Sequence, residues 1–243
     1  DTTLLKQGFN GGILVAKNGS VIYEKYVGRI DLRKKDTLTD STSLHIASTS
    51  KTFTSIAALR LIEEKKLSIN DSLNKFFLGF PYPGITIKML LNHRSGLPNY
   101  LYFISNSKWD KKKYATNEDM LNIMYTDKPD KTFSPDKRFS YCNTNYVLLA
   151  MIIEKVTGKT FPDYMQQKYF DPLQMKHTYV FSLKDTLTAT PSFTYNGTYW
   201  EFDCLDGTYG DKNIYTTPKD LLKWDQALYT DQLLSQPMMD SAF

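Results

Sequence analysis

One segment constrains the fold of this chain more than any other. Residues 51–62 read KTFTSIAALRLI and are apolar on nearly every side from Phe53 to Ile62. The segment is too long for a typical strand, so its pattern predicts a buried helix. Because such a helix has little polar surface to leave in water, we expect it to be covered by a larger sheet.

The strand signals lie early in the chain. Two β-prone runs, residues 13–17 and 20–26, are separated only by Asn18-Gly19. This pattern predicts a tight hairpin, because both central residues of a type I′ turn need a positive φ.

Helix signals dominate after the hairpin. Thr116 stands three residues before Asp119 as in a capping box, Thr217 begins another helix, and the apolar run 146–156 is followed by Gly158 as its C-terminal cap. An order of strands followed by helices favours an α+β fold over a repeated βαβ unit.

Composition limits the classes of partner. The 243 residues are 41% hydrophobic and 23% charged with a net charge of +4, which is typical of a globular domain and does not favour a nucleic-acid partner. The basic run 111–113 is interpreted as surface. No stretch approaches the roughly 18 apolar residues of a membrane span, so none is expected.

The cysteine and histidine content argues against a metal. The chain has two cysteines and three histidines, and none of them shows the spacing of a metal-ligand motif. We therefore expect no metal and no other cofactor.

The first chemistry-bearing pattern is Ser48-x-x-Lys51, directly before the apolar helix. Residues three apart on a helix lie on one face, so a lysine whose ammonium form is disfavoured by burial could take the serine proton. The alternative is that Ser48 caps the helix and Lys51 extends into water. The same spacing recurs at three other serines, which lack this context: Ser72, Ser105 and Ser134.

The second pattern is Tyr141-Cys142-Asn143, just before the helix at 146–156. A phenol and a carboxamide two residues apart can point the same way, so Tyr141 could relay a proton while Asn143 holds Lys51 and a substrate carbonyl. The alternative is a half-buried tyrosine with Asn143 as a simple helix cap. Cys142 is interpreted as a small buried residue rather than a catalytic thiol.

These motifs resemble the serine β-lactamase and penicillin-binding-protein superfamily, in its class C β-lactamase, DD-peptidase and esterase branch. The resemblance runs nearly end to end. Besides the two motifs it rests on the segments 61–64 with Leu67 and Asp71, 90–98 (LLNHRSGLP), Ser134-Pro135 before 139–141, 156–159, 171–173 with Met175, and 214–217 with Asp220-Leu221.

The resemblance implies a β-lactamase/transpeptidase-like fold of the α+β class, with an antiparallel sheet flanked by helices and an all-helical region beside it. It also implies that Ser48 forms an acyl-enzyme, that Lys51 is its base, that Tyr141 relays the proton and that Asn143 binds and orients the substrate amide.

The implied function is that of a serine hydrolase acting on a β-lactam, a D-Ala-D-Ala-type peptide or an ester. A periplasmic or secreted location with the signal removed, and a small-molecule or peptide substrate, follow from the same likeness. The alternative is a non-catalytic sensor or scaffold that binds penicillin or cell-wall peptide, although such a site would not need a base. His93 and Gly96 are implied to be structural residues that shape a loop.

The sequence departs from the family pattern in two ways. Asp136, Gln174 and the pair Lys212-Asn213 stand where glycine is common, and we expect them to alter loop conformations only. More seriously, no Lys-Thr-Gly or His-x-Gly, the family's third motif, follows Tyr141.

The missing third motif leads to an expectation about the domain. We expect residues 1–243 to be one β-lactamase-like domain that lacks its C-terminal strands, with roughly 80–120 further residues in the natural protein. Without the strand that carries this motif, we expect the chain to have little or no activity.

Overall fold

The apolar segment forms the central helix of the molecule. The computed structural model describes residues 8–242. Its helices are α1 (Ser50–Glu63), α2 (Ile87–Leu91), α3 (Tyr100–Asn106), α4 (Asn117–Thr126), α5 (Thr144–Thr157), α6 (Phe161–Met165), α7 (Pro218–Leu228) and α8 (Gln236–Ala242). A π-helical turn, Gln166–Phe170, continues α6.

The strands form three small antiparallel sheets within residues 8–242. They are β1 (Gly11–Lys17) with β2 (Ser20–Val27), then β3 (Leu44–His45), β7 (Ile214–Thr216) and β4 (Tyr179–Val180) in that spatial order, and β5 (Ser192–Phe193) with β6 (Tyr199–Trp200). The β1–β2 hairpin turns at Asn18 and Gly19, whose φ angles are 50° and 76°. The predicted hairpin and the α+β class are therefore confirmed.

Helix α1 is covered by other helices of this chain rather than by a larger sheet, so the expected sheet cover is wrong. Phe53 stacks on Trp224 of α7 with ring centroids 4.1 Å apart and meets Phe170 edge-on at 6.1 Å. Helix α5 packs along α1, and Ala57 and Leu61 are fully buried. Long apolar side chains from neighbouring helices bury the apolar surface of α1, as those of a sheet would.

The predicted helix boundaries are confirmed by their caps. Thr116 and Asp119 form a reciprocal capping box at the start of α4. The Thr217 hydroxyl accepts the Asp220 N–H at the start of α7, and Gly158 ends α5 with a φ of 69°. Each cap satisfies backbone groups that the helix end would leave unpaired.

Three of the residues that stand where glycine is common have a left-handed backbone. The φ angles of Asp136, Gln174 and Asn213 are 60°, 54° and 74°. Most side chains are strained in this region, and asparagine and aspartate tolerate it best. The loops therefore keep a glycine-like conformation at some cost in stability, which should be largest at Gln174.

Gln174→Gly should raise the free energy of unfolding by about 0.5–1 kcal/mol, because glycine adopts this φ without steric strain. The Gln174 side chain is exposed, so little packing is lost. The matched control is Gln167→Gly, in the π-helical turn, which should lower that free energy by about 1 kcal/mol. Urea unfolding of both variants measures the difference, and equal effects of the two changes would contradict the strain argument.

Two further features bear on function. No helix among residues 8–242 is long and apolar enough to cross a bilayer. Across the same residues, no group of three or more His, Cys, Asp or Glu side chains is placed to hold a metal ion.

Candidate active site

Ser48 lies in a single 3₁₀ turn, Ala47–Thr49, that leads directly into α1. Its side chain is exposed, and Ala47 before it has a φ of 46°. Strained backbone of this kind persists only where the surrounding structure holds it, and it is common at functional sites. Ser48 is not a helix cap, because the N-cap residue of α1 is Thr49, which makes no side-chain capping bond.

Lys51 is buried, with only 6% of its surface exposed, although its side chain carries an amine. Its Nζ donates to Ser48 Oγ at 3.2 Å and to the carbonyl oxygen of Asp211 at 2.7 Å. Lys51 therefore turns inward instead of extending into water, and the two residues of the first motif are in hydrogen-bond contact.

The polar side of α1 is bound to the segment 210–214. In addition to the bond between Lys51 and the Asp211 carbonyl, Ser50 Oγ accepts the N–H of Ile214 at 3.0 Å, and Thr54 Oγ1 donates to the carbonyl of Gly210 at 2.7 Å. A Cβ at Gly210 would lie 2.5 Å from the carbonyl oxygen of Tyr146, so only glycine allows this close approach to α5. The segment is thus wedged between α1 and α5.

Tyr141 lies beside Lys51, and Asn143 lies two residues further on at the start of α5. The Tyr141 side chain is 46% exposed, and Lys51 Nζ lies 4.9 Å from the centre of its ring. Asn143 is 7% exposed at the start of α5 and makes no side-chain capping bond, so it is not a simple cap. Among the described residues the Lys51 amine donates to Ser48 Oγ and to the Asp211 carbonyl, and the role of the Asn143 carboxamide stays a prediction.

His93 fixes the segment that carries Tyr141 and Asn143. Its Nδ1 accepts the N–H of Cys142 at 3.2 Å, and its carbonyl accepts the N–H of Ser140 at 2.8 Å. The imidazole lies against the Tyr141 ring with centroids 4.6 Å apart. Burial, with a smaller contribution from the nearby charge of Lys51, lowers the pKa of His93 to about 4, so the ring is neutral and able to accept at pH 7.

Gly96 lets the loop after His93 pack closely against the segment around Phe133. It has a φ of 70°, and a Cβ there would overlap the carbonyl oxygen of Phe133. Next to it, Ser95 Oγ donates to Asn145 Oδ1 at 2.6 Å, which ties the loop to α5. These contacts show how His93 and Gly96 shape the loop, as expected from the sequence.

His93→Asn should remove an acid-dependent loss of stability. The unfolded chain binds a proton at this histidine below its ordinary pKa of about 6.5, while the folded chain does so only near 4, so folding weakens as the pH falls through that window, by about 2–3 kcal/mol at pH 4. Asparagine tolerates the φ of 56° and offers an oxygen to the Cys142 N–H but does not titrate.

The measurement is urea unfolding of both proteins at several pH values between 7 and 4. The wild-type free energy should fall more steeply than that of the variant, and parallel curves would show that His93 is not the titrating group.

The Cys142 thiol takes no part in this arrangement. It is buried, it contacts the carbonyl oxygen of Leu97 at 3.5 Å, and burial raises its pKa. A thiol of this kind is not a nucleophile at neutral pH, which agrees with its interpretation as a small buried residue.

Asp211 was not identified as a site residue from the sequence. Tyr100 is fully buried in α3, and its hydroxyl donates to Asp211 Oδ2 at 2.7 Å and lies 3.1 Å from Thr208 Oγ1. The other carboxylate oxygen, Oδ1, has no hydrogen-bond partner among the described residues. Burial raises the pKa of Asp211. The nearby Tyr102 side chain, by contrast, is 73% exposed.

A cavity of about 360 Å³ adjoins the segment that holds Lys51. Lys212 and Asn213 form one part of its wall, and Lys212 pairs there with Asp206 at 3.0 Å. Aromatic side chains line much of the rest: Trp200, Phe202, Tyr215 and the imidazole of His45. Cavities of this size and lining are typical of small-molecule sites.

Comparisons with known proteins agree with this fold. The Beta-lactamase family model matches residues 3–242. Penicillin-binding protein 4* of Bacillus subtilis is 33% identical over 98% of this chain and 56% of its own length, and Protein flp of Staphylococcus aureus is 37% identical over 68% of this chain and 34% of its own. The structure of a penicillin-binding protein from Bacillus halodurans superposes with a TM-score of 0.84 at 27% identity, over 98% of this chain and 75% of that one.

A match of this extent shows that the chain belongs to the serine β-lactamase and penicillin-binding-protein superfamily. Members of the superfamily are serine hydrolases, and the β-lactamase/transpeptidase-like fold is confirmed. Among the relatives above, those of Bacillus subtilis and Bacillus halodurans are penicillin-binding proteins. The chain spans about half the length of the Bacillus subtilis relative.

Proposed function

We propose that this protein is a serine hydrolase that works through an acyl-enzyme at Ser48. The observation that carries the proposal is the contact between the exposed Ser48 hydroxyl and the buried Lys51 amine, which is held from its other side by the Asp211 carbonyl. A serine is a weak nucleophile until a base within hydrogen-bond distance takes its proton. Lys51 is in position to do so in its uncharged form.

The reaction proceeds in two halves. Lys51 accepts the Ser48 proton as Oγ bonds to the substrate carbonyl carbon, and the backbone N–H groups at the start of α1 stabilise the oxyanion. The bond to the leaving group then breaks, and Tyr141 relays the proton to it while Asn143 orients the substrate amide. Water attacks the ester in the second half, which releases the acid and returns the proton to Ser48.

The proposed substrates are a β-lactam, a D-Ala-D-Ala-type peptide or an ester. The cavity beside Lys212 is the proposed place for an aromatic or apolar side chain of the acyl group. Two of the named relatives are penicillin-binding proteins, which supports a substrate of the cell wall and a periplasmic or secreted location. We also propose that residues 1–243 form part of one β-lactamase-like domain.

A non-catalytic penicillin- or peptide-binding role is the second candidate. Such a protein would hold the ligand at the same site without forming a bond to Ser48.

Intact-mass spectrometry after incubation with benzylpenicillin and, separately, with a fluorophosphonate distinguishes the two roles. The hydrolase proposal expects a stoichiometric adduct with at least one reagent, located on Ser48 by peptide mapping. Saturable binding of penicillin without an adduct from either reagent would favour the binding role instead.

A further inference from the structure

Phe139 is an exposed aromatic side chain that the acyl-enzyme scheme does not use. It is 64% exposed, and every other phenylalanine among residues 8–242 is at least partly buried. A phenylalanine has no polar group to bond to water, unlike tyrosine or tryptophan, so its exposed ring leaves apolar surface hydrated. A single exposed apolar residue is common, but one that belongs to a larger exposed patch beside a reactive group indicates a ligand site.

Phe139 is connected to the candidate active site through His93. Its ring meets the His93 imidazole nearly at right angles, with centroids 5.9 Å apart. The Tyr141 ring contacts the same imidazole at 4.6 Å, and its centre lies 4.9 Å from Lys51 Nζ. His93 itself is buried, whereas Phe139 and Tyr141 are both exposed. These two rings form an aromatic patch that begins beside the Lys51 amine, at Tyr141, and continues to Phe139.

The segment that carries Phe139 is held by backbone hydrogen bonds on both sides of the ring. The N–H of Asp136 donates to the carbonyl of Arg94, and the N–H of Ser140 donates to that of His93, both at 2.8 Å. The Arg94 guanidinium also pairs with the Asp136 carboxylate. The ring is therefore displayed on an ordered loop, and a binding surface that is already in place loses little conformational entropy when a ligand arrives.

We propose that Phe139 is a specificity-determining residue whose ring binds an apolar or aromatic leaving group of the substrate. The inference rests on the proposed function, in which Tyr141 passes the proton to the leaving group. A leaving group that receives this proton lies within hydrogen-bond distance of the Tyr141 hydroxyl during the transfer. A bulky substituent on it therefore lies on the side of the site that Phe139 occupies.

This contact should act on one half of the reaction only. A contact between two aromatic rings, together with the apolar surface that it buries, corresponds to about a 5- to 20-fold preference for an aromatic over a short alkyl leaving group. The preference belongs to kcat/KM for acylation, because the leaving group has departed before water attacks the ester. Two substrates with the same acyl group form the same acyl-enzyme and share the second half.

The test compares the ethyl and benzyl esters of N-acetyl-D-alanine, whose leaving alcohols are similar in acidity. Titration of the released acid gives kcat/KM for each ester. The wild type should favour the benzyl ester by about 5- to 20-fold, and Phe139→Ala should bring the ratio close to one. Phe139→Leu, which keeps an apolar side chain without a ring, should retain part of the preference. A wild type without the preference, or an unchanged ratio in Phe139→Ala, would overturn the proposal.

The ratio of the two esters separates binding from a structural role. If Phe139 served only to pack against His93, its loss would lower the rates of both esters by the same factor and leave their ratio unchanged. The matched control is Tyr229→Ala, which removes another exposed ring, directly after α7 and outside the contacts of the site. Its ratio should equal that of the wild type. The melting temperature checks that each variant is folded.

A second readout does not depend on turnover. In Ser48→Ala labelled with 4-fluorophenylalanine, the ¹⁹F signal of Phe139, assigned by its loss in Phe139→Leu, should shift saturably with the benzyl ester and less with the ethyl ester. If the wild type hydrolyses neither ester and is acylated by no reagent, the proposed function fails while this titration still judges Phe139. A Phe139 signal that the benzyl ester does not move would refute the role of Phe139 even where both esters are hydrolysed.

Discussion

Ser48→Ala should abolish acylation and lower any hydrolytic kcat by about 10³–10⁶, the range seen when the nucleophile of a serine hydrolase is removed. The loss is expected to be nearly complete because no other hydroxyl is bonded to Lys51 among the described residues. The side chain is exposed and makes no capping bond, so the fold should remain intact. Adduct formation by intact mass and the melting temperature measure the two effects.

The matched control is Ser134→Ala, another serine placed three residues before a lysine but outside the site. It should leave labelling unchanged. If labelling survived Ser48→Ala and moved to Ser72, Ser105 or Ser134, the assignment of the nucleophile would be wrong.

Lys51→Ala and Tyr141→Phe should each reduce kcat severely, and their effects should be strongly non-additive. The Lys51 amine lies 3.2 Å from the Ser48 oxygen and 4.9 Å from the centre of the Tyr141 ring, which is compatible with one proton-transfer unit. Removal of either member of such a unit interrupts the same step, so the double variant should lose little more than the worse single variant.

The measurement is a double-mutant cycle on kcat for the substrate or the labelling reagent. Tyr102→Phe is the control, because its side chain is exposed and contributes nothing to the contacts of Lys51. A double variant whose loss equals the product of the two single losses would show that the residues act independently.

The parts of the fold that the sequence predicted depend on neighbours close in the chain. The turn at Asn18-Gly19 and the cap at Thr116 are decided by residues within three or four positions, so their patterns are readable directly. The apolar run of α1 likewise predicted burial, but not which elements would bury it. Helices and sheets offer similar apolar surfaces, so the pattern of one helix does not identify its partner.

The site was predictable only in part for the same reason. Ser48 and Lys51 lie within one helical turn, and their contact follows from that spacing. Asp211 is 160 residues from the lysine that it contacts, and it carries no periodic or capping signal. Its carbonyl, rather than the Asn143 carboxamide, accepts a hydrogen bond from the amine, and the glycine at 210 lets the backbone before it approach α5 closely.

The wedge formed by residues 210–214 affects when the site forms during folding. Its bonds to Ser50, Lys51 and Thr54 join the beginning of α1 to a part of the chain that is synthesised much later. In a partly folded chain that has not yet formed these bonds, Ser48 has no base beside it that differs from a hydrated lysine side chain. Contacts between such distant residues form late and cooperatively, so reactivity at Ser48 should appear only with the complete fold. Acylation of Ser48 can therefore be used to follow the completion of folding.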